Sequence, residues 1–271
     1  MARSLIIKSP SAMAAGVTNP TLTRDGLLNA GSLWLIDAMR LGCWDPAVDA
    51  VANDAQIGNL VEGSPAALLK VPVVGDITFD AAVKGFKLKA TVGLGRIQIG
   101  TGTQYFQTDL DEDYLISTMV TYPAVDPGGG HVGYLITKNT ATSYSGAGPW
   151  MAHRYAANYL FASMDAVAST PTAGTAAGAP NGLEQVAFAK VGANLLYFKN
   201  GAQVGSTPLR ATPLAANSTP LNWGNGGAAS QYAAPGLVMH RTYGENLTVS
   251  GRTAAAVVAQ EYEQNIERFA A

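Results

Sequence analysis

Leu195-Leu196-Tyr197-Phe198-Lys199 runs into Asn200-Gly201 and then into Ala202-Gln203-Val204-Gly205-Ser206. Two apolar runs joined by Asn-Gly make a strong hairpin signal. A two-residue hairpin turn needs positive φ at both central residues, and Asn and Gly reach it most easily. Immediately upstream, Leu183-Glu184-Gln185-Val186-Ala187-Phe188-Ala189-Lys190-Val191-Gly192 reads as another strand ending in a glycine turn. The stretch from 183 to 206 is therefore read as an antiparallel meander.

The rest of the chain carries the same punctuation. Ser32–Asp37 reads as the opening strand, and strands resume near Ile77–Phe79, Phe86–Ala90 and Arg96–Ile99, the last two with alternating faces. Further strands are expected within Asp113–Pro123, His131–Lys138 and Asn158–Met164, then at Leu221–Gly224 and Gly236–Tyr243. A weak helical signal lies over Ala47–Asn53. Residues 169–182, built of Ala, Thr, Pro and Gly, read as a surface loop. From about 250 the period changes: Val258, Tyr262, Ile266 and Phe269 form one apolar stripe, which predicts a C-terminal helix over about 250–269. Residues 1–32, broken by Ser9-Pro10 and Asn19-Pro20, read as an extended N-terminal arm. It either wraps the domain or reaches a neighbouring subunit.

Taken in order from residue 33 to 271, these elements resemble the concanavalin A-like, laminin-G-like jelly-roll domains. The resemblance rests on the meander and its Asn-Gly turn, on Asp113–Pro123 and on Leu221–Gly224. It implies an all-β sandwich, with the arm before it and the helix after it. Two family features are missing. The tryptophan that often opens the strand before the hairpin is replaced by Leu183-Glu184-Gln185, and an acidic pair in the closing strand by Leu237-Val238-Met239-His240. Leu27–Asp37 also resembles the opening of jelly-roll proteins encoded by bacteriophages. A fold of this kind hosts lectins, glycosidases and inert shells alike, so function has to come from the residues.

Composition narrows the classes. Charged residues are 13% of the chain, against roughly 25% in an average protein, which suits a surface covered by neighbours in an assembly. A net charge of −2 with 17 scattered basic residues leaves no stripe to neutralise a phosphate backbone, so no nucleic acid is expected. No stretch of about 20 apolar residues is present, so no membrane partner is expected either. Met1–Pro10 lacks the apolar core of a signal peptide. The chain is thus expected to be made in a host cytoplasm and to leave it by lysis or within a particle. Cys43, the single cysteine, is expected to be a buried thiol.

The motifs that could carry catalysis or hold a metal are incomplete. Asp109, Asp111, Glu112 and Asp113 form the densest acidic cluster. Read as a calcium loop, it has Tyr114 at the glycine position and Val120 at the closing glutamate. Against the Glu-x-Asp-x-x-Glu of concanavalin-like glycosidases, the positions hold Asp109, Asp111 and Tyr114, so the acid that would protonate a leaving group is missing. His131, His153 and His240 stand beside no Gly-x-Ser-x-Gly elbow and in no zinc-protease spacing, and Gly93–Gly100 fits a turn better than a dinucleotide loop. Asn217 and Asn246 lie in glycosylation sequons, which a chain without an export signal would not use.

Recognition is expected instead at Trp150, His153, Arg154 and Tyr155, with Tyr159 nearby. Aromatic faces stack on sugars or fill partner pockets, and Arg and His add directed hydrogen bonds. The expected function is that of a non-enzymatic phage virion protein, without cofactor or metal. It would decorate or cement the capsid, or sit on the tail, by packing against the major capsid protein, other virion subunits and copies of itself. The alternative is a glycan-binding module of a fibre or spike that attaches the virion to a host surface glycan.

Overall fold

A computed structural model describes residues 25–91, 93–100, 112–124, 134–137, 150–154, 158–163, 174–208, 220–224 and 235–270. Among them the chain forms strands β1 (Ser32–Asp37), β2 (Gln56–Ile57), β3 (Ala67–Lys70), β4 (Ile77–Asp80), β5 (Gly85–Leu88), β6 (Arg96–Ile99), β7 (Tyr114–Tyr122) and β8 (Tyr134–Thr137). These continue with β9 (Trp150–Arg154), β10 (Tyr159–Ser163), β11 (Gly174–Ala176), β12 (Gly182–Val191), β13 (Asn194–Lys199), β14 (Ala202–Pro208), β15 (Leu221–Trp223) and β16 (Val238–Asn246). Two helices close the chain, α1 (Leu247–Ser250) and α2 (Ala254–Phe269).

The strands form two antiparallel sheets. Sheet A runs β14-β13-β12-β7-β16-β5-β4, with β1 also paired to β16, and sheet B runs β11-β10-β9-β8-β15-β6-β3-β2. The jelly-roll sandwich read from the sequence is therefore the observed architecture. The hairpin forms at its expected place: Asn200 and Gly201 have φ of 50° and 81°, and Lys199 pairs with Ala202. Asn200 also accepts a hydrogen bond from the Gln185 amide at 2.9 Å, tying the turn to β12.

Between the sheets lies the main core. Trp34 and Ile36 of β1, Ile116 and Val120 of β7, Phe188 of β12 and Tyr197 of β13 meet Ile97, Leu135, Met151, Leu160 and Trp223 from sheet B. Trp34 lies flat on β16 because its partner there is Gly244, where a Cβ would come within 2.3 Å of the indole. Trp44 seals one side against Phe79 and Phe86.

The residues of sheet A that face away from this core are also buried. Leu35, Leu115, Ala187, Ala189, Phe198 and Tyr243 pack against Leu27 and against Val257 and Val258 of α2. Sheet A is thus covered on both faces, and the described residues form three layers. Gln185 fastens the outer one, donating to Ser117 Oγ at 3.3 Å and to the Val258 carbonyl at 2.9 Å.

Charge, too, is buried in this outer layer. Arg241 of β16 has no solvent exposure and meets Asp25 at 3.0 Å, Asp37 at 2.8 Å and Glu261 at 3.0 Å. Arg268 reaches Asp37 at 2.9 Å. A second knot joins Arg252 to Glu245, and Tyr243 donates to Glu245 at 2.7 Å. Each knot ties the 25–32 segment to β16 and to the C-terminal helices.

Three expectations change. The stripe of α2 is rotated: Ala254, Val257, Val258, Glu261, Asn265 and Phe269 are buried, while Tyr262 and Ile266 are half-buried at its flank. The rotated face places Glu261 against Arg241. No helix forms over 47–53, where side chains take backbone groups; Trp44 Nε1 donates to the Val48 carbonyl, and the Ala47 amide donates to Asp45 Oδ1. Finally, the presumed loop contains strand β11, which pairs with β10 and sits so close to β14 that a Cβ on Gly205 would come within 2.3 Å of Thr175 Oγ1. Of the expected arm, residues 1–24 lie outside the described residues.

Candidate functional site

Sheet B is the face that the described helices leave open, since α2 packs on β12, β14 and β7, and α1 on β16 and β7. Strand alternation decides what it presents. Met151, Leu160 and Ala162 point into the core, so Tyr159 and Phe161 of β10 stand on the outer face. Tyr159 is 40% exposed, and its ring stacks on Phe161 with centroids 5.6 Å apart and planes 26° from parallel. The neighbouring strands place small residues beside the pair: Ala152 opposite Phe161 on one side, Ala176 opposite Tyr159 on the other. Two aromatic rings flanked by alanines form a ridge on this face, with Tyr159 and Ala176 exposed and Ala152 buried.

This ridge includes part of the set expected from sequence. Trp150 and Arg154 lie on β9, and Arg154 is directly across from Tyr159. Tyr155 lies outside the described residues. Phe161 was missed because it sits in an apolar run that reads as core.

His153 is drawn away from the site. It is fully buried and points between the sheets, where Tyr122 packs edge-on against its ring at 5.5 Å. Its Nε2 is 2.9 Å from the Gly178 carbonyl, and its Nδ1 is 3.2 Å from Glu184 Oε2. Lys199 adds 2.9 Å to Glu184 Oε1 and donates to the Ala177 carbonyl at 3.0 Å. Burial pushes the Glu184 carboxyl up, but the nearby His153 and Lys199 outweigh this and hold it below the ordinary range. This cluster braces sheet B on sheet A beneath the ridge, and His153 touches no outer ligand.

The other ionisable groups singled out from sequence are also engaged. Asp113 accepts from the Gly192 amide at 2.7 Å and meets Lys190 at 3.4 Å. Glu112 takes the Asn246 side chain at 2.9 Å and the Tyr114 hydroxyl. Asp109 and Asp111 lie outside the described residues, as do His131 and Asn217. Asn246 caps α1, accepting from Val249 at 3.0 Å.

His240 occupies the bulge between Met239 and Arg241. Its ring stacks on Phe269 at 5.0 Å, and its nitrogens meet Thr121 Oγ1 and the Lys84 carbonyl. Burial drives its pKa down to about 4. Cys43 is buried, and burial pushes its thiol up to about 12, which makes it unreactive at neutral pH. Among the described residues no cluster of three or more His, Cys, Asp or Glu side chains is arranged to hold a metal ion.

No family model matches the chain, and no curated protein matches it in sequence. Similarity to solved structures is nonetheless clear. A Trypanosoma rangeli sialidase in complex with 2,3-difluorosialic acid superimposes with a TM-score of 0.54 at 14% identity over 89% of this chain. The binding domain of botulinum neurotoxin serotype D gives 0.54 at 10% identity over 87%, and that of Paraclostridial Mosquitocidal Protein 1 gives 0.50 at 11% over 86%. The chain spans 34% of the sialidase and 52% of each toxin domain. At such identities the likeness concerns the fold: this is a concanavalin-like jelly-roll β-sandwich.

Proposed function

We propose that this chain is a non-enzymatic carbohydrate-binding module that takes a host surface polysaccharide on the outer face of sheet B, as part of a bacteriophage particle. The observation that carries this reading is the stacked Tyr159–Phe161 ridge flanked by Ala152 and Ala176, on the sheet that the described helices leave open. Pyranose rings present apolar C–H faces, and aromatic side chains bury them with little loss of side-chain entropy. The sandwiches it superimposes on include toxin binding domains and part of a sialidase solved with sialic acid, which supports a ligand-binding role. The non-enzymatic reading is supported by the use made of Glu112, Asp113, Glu184 and Glu245, each held by internal hydrogen bonds.

The test is affinity electrophoresis of the full chain through gels containing bacterial surface polysaccharides. Retention that disappears in Tyr159→Ala supports the reading; migration unaffected by every polysaccharide overturns it.

A second reading, capsid decoration or tail packing against virion subunits and copies of the chain, is favoured by a separate observation. Val73 and Val74, in the β3–β4 turn, are 57% and 97% exposed in a chain with few charges. Co-sedimentation with empty phage shells, and a mass that falls from oligomer to monomer on removal of residues 1–32, would favour it over the first.

A further inference from the structure

Four strands from the ridge, at β6, the same face of sheet B carries polar atoms that the fold does not satisfy. Ile97 and Ile99 of β6 and Leu221 and Trp223 of β15 enter the core, so Arg96, Gln98 and Asn222 lie on the outer face. Asn222 stands directly opposite Gln98. Asn222 is 2% exposed; its amide donates to the Pro220 carbonyl at 3.3 Å, and its Oδ1 has no partner. Arg96 is half-buried. Its Nη1 donates to the Leu94 carbonyl at 3.2 Å, and among the described residues its Nε has no partner and it makes no ion pair.

That last property sets Arg96 apart from the other arginines whose side chains are described. Arg40, Arg241, Arg252 and Arg268 are each paired with a carboxylate. Lys70, across from Arg96 on β3, is itself taken by Asp54. Burial therefore lowers the pKa of Arg96 with no acid to offset it, whereas carboxylates raise those of Arg241 and Arg252. A buried donor or acceptor without a partner is a standing cost in the free protein. A ligand that brings both a carboxylate and a neighbouring hydroxyl removes it at both places.

We propose that Arg96, Gln98 and Asn222 form a second subsite, which takes the carboxylate-bearing unit of an acidic polysaccharide. The carboxylate accepts from the Arg96 guanidinium, a hydroxyl of the same unit donates to Asn222 Oδ1, and Gln98 lies between them. Asn222 is three strand steps from β10, about 14 Å at ~4.8 Å per step. A short oligosaccharide lying across the strands spans both subsites. The inference rests on the carbohydrate reading above and adds the charge of the sugar.

The experiment compares alginate, a polyuronate, with its carboxyl-reduced neutral product and with a neutral glucan panel, by affinity electrophoresis and calorimetry on the full chain. The expected result is at least ten-fold tighter binding of the acid form, weakened by added salt. Arg96→Gln should remove that preference, and Gln98→Ala, a half-buried position, should weaken the acid form several-fold. Unchanged urea midpoints show that the variants are folded. If the neutral polymers bind as well as alginate, or Arg96→Gln has no effect while Tyr159→Ala abolishes binding, the acidic subsite falls and the carbohydrate reading stands. If no polymer binds, both fall.

Discussion

Replacing Arg241 by methionine would remove the cation that three buried carboxylates share. Its guanidinium lies 3.0 Å from Asp25, 2.8 Å from Asp37 and 3.0 Å from Glu261. In the variant Asp37 keeps Arg268 at 2.9 Å, whereas Asp25 keeps only Arg40 at 3.9 Å and the Leu27 amide at 3.1 Å. Glu261 keeps no ion pair. Breaking a buried ion pair from one side costs about 3–5 kcal/mol, because the surviving charge stays desolvated. Set against a total stability of roughly 5–15 kcal/mol, this is a large fraction. At roughly 2–4 °C per kcal/mol for a chain of this size class, the melting temperature should fall by about 6–20 °C.

The pH dependence tests the cause. In the native protein burial raises the Asp25 carboxyl, but Arg241 outweighs this and holds it below 3.8. Its contribution to stability is present above that value and is lost as the pH falls through the lower folded one. Glu261 is shifted upward, because its burial outweighs the attraction of Arg241. Without Arg241, Asp25 and Glu261 both gain protons more readily when folded. The deficit of the variant should therefore shrink as the pH drops from 7 towards 4. Urea unfolding at pH 7, 5.5 and 4 measures it. A deficit below about 1 kcal/mol, or one that stays constant across that range, would refute the argument.

Other outcomes follow from single contacts. Gly244→Ala places a Cβ 2.3 Å from the Trp34 ring, and this overpacking should cost at least about 1–3 kcal/mol in a urea melt. Gly201→Ala forces a φ of 81° on a residue with a side chain, 3.1 Å from Tyr262, and should cost about 1–2 kcal/mol with the sheet otherwise intact by circular dichroism. Tyr159→Ala should change stability by no more than about 0.5 kcal/mol, yet lower polysaccharide affinity roughly 30-fold, as loss of an interface anchor does. The His240 imidazole should stay neutral in NMR titrations until about pH 4. Because the unfolded chain binds that proton near 6.5, stability should fall as the pH drops from 6.5 through 4.

Much of the fold was legible in local chemistry. Asn200-Gly201 encodes its own turn, and the alternation of Arg96–Ile99 and the apolar run of Tyr114–Tyr122 are strand signals that need no distant partner. Non-local choices were less visible. Arg241 and Glu245 on β16 resemble a solvent-facing pattern, and only the folded chain brings Asp25, Asp37 and Glu261 round Arg241. β11 was hidden because Gly174–Ala176 has no apolar alternation, and its place depends on the small size of Gly205. At the site the sequence marked Tyr159. It did not mark His153 as an internal brace, because Glu184 lies on the other sheet. Arg96 and Asn222 gave no signal, since an unsatisfied atom exists only relative to its neighbours.

The burial of sheet A on both sides has a directional consequence. Asp25 at one end of the described chain and α2 at the other both lie behind that sheet, joined through Arg241 and through the contact of Gly26 with Gln264. The described chain therefore begins and ends behind sheet A, and the aromatic ridge points the opposite way. A polysaccharide held on that ridge, as proposed, would lie across both sheets from Asp25 and α2, clear of the ion pairs that join them.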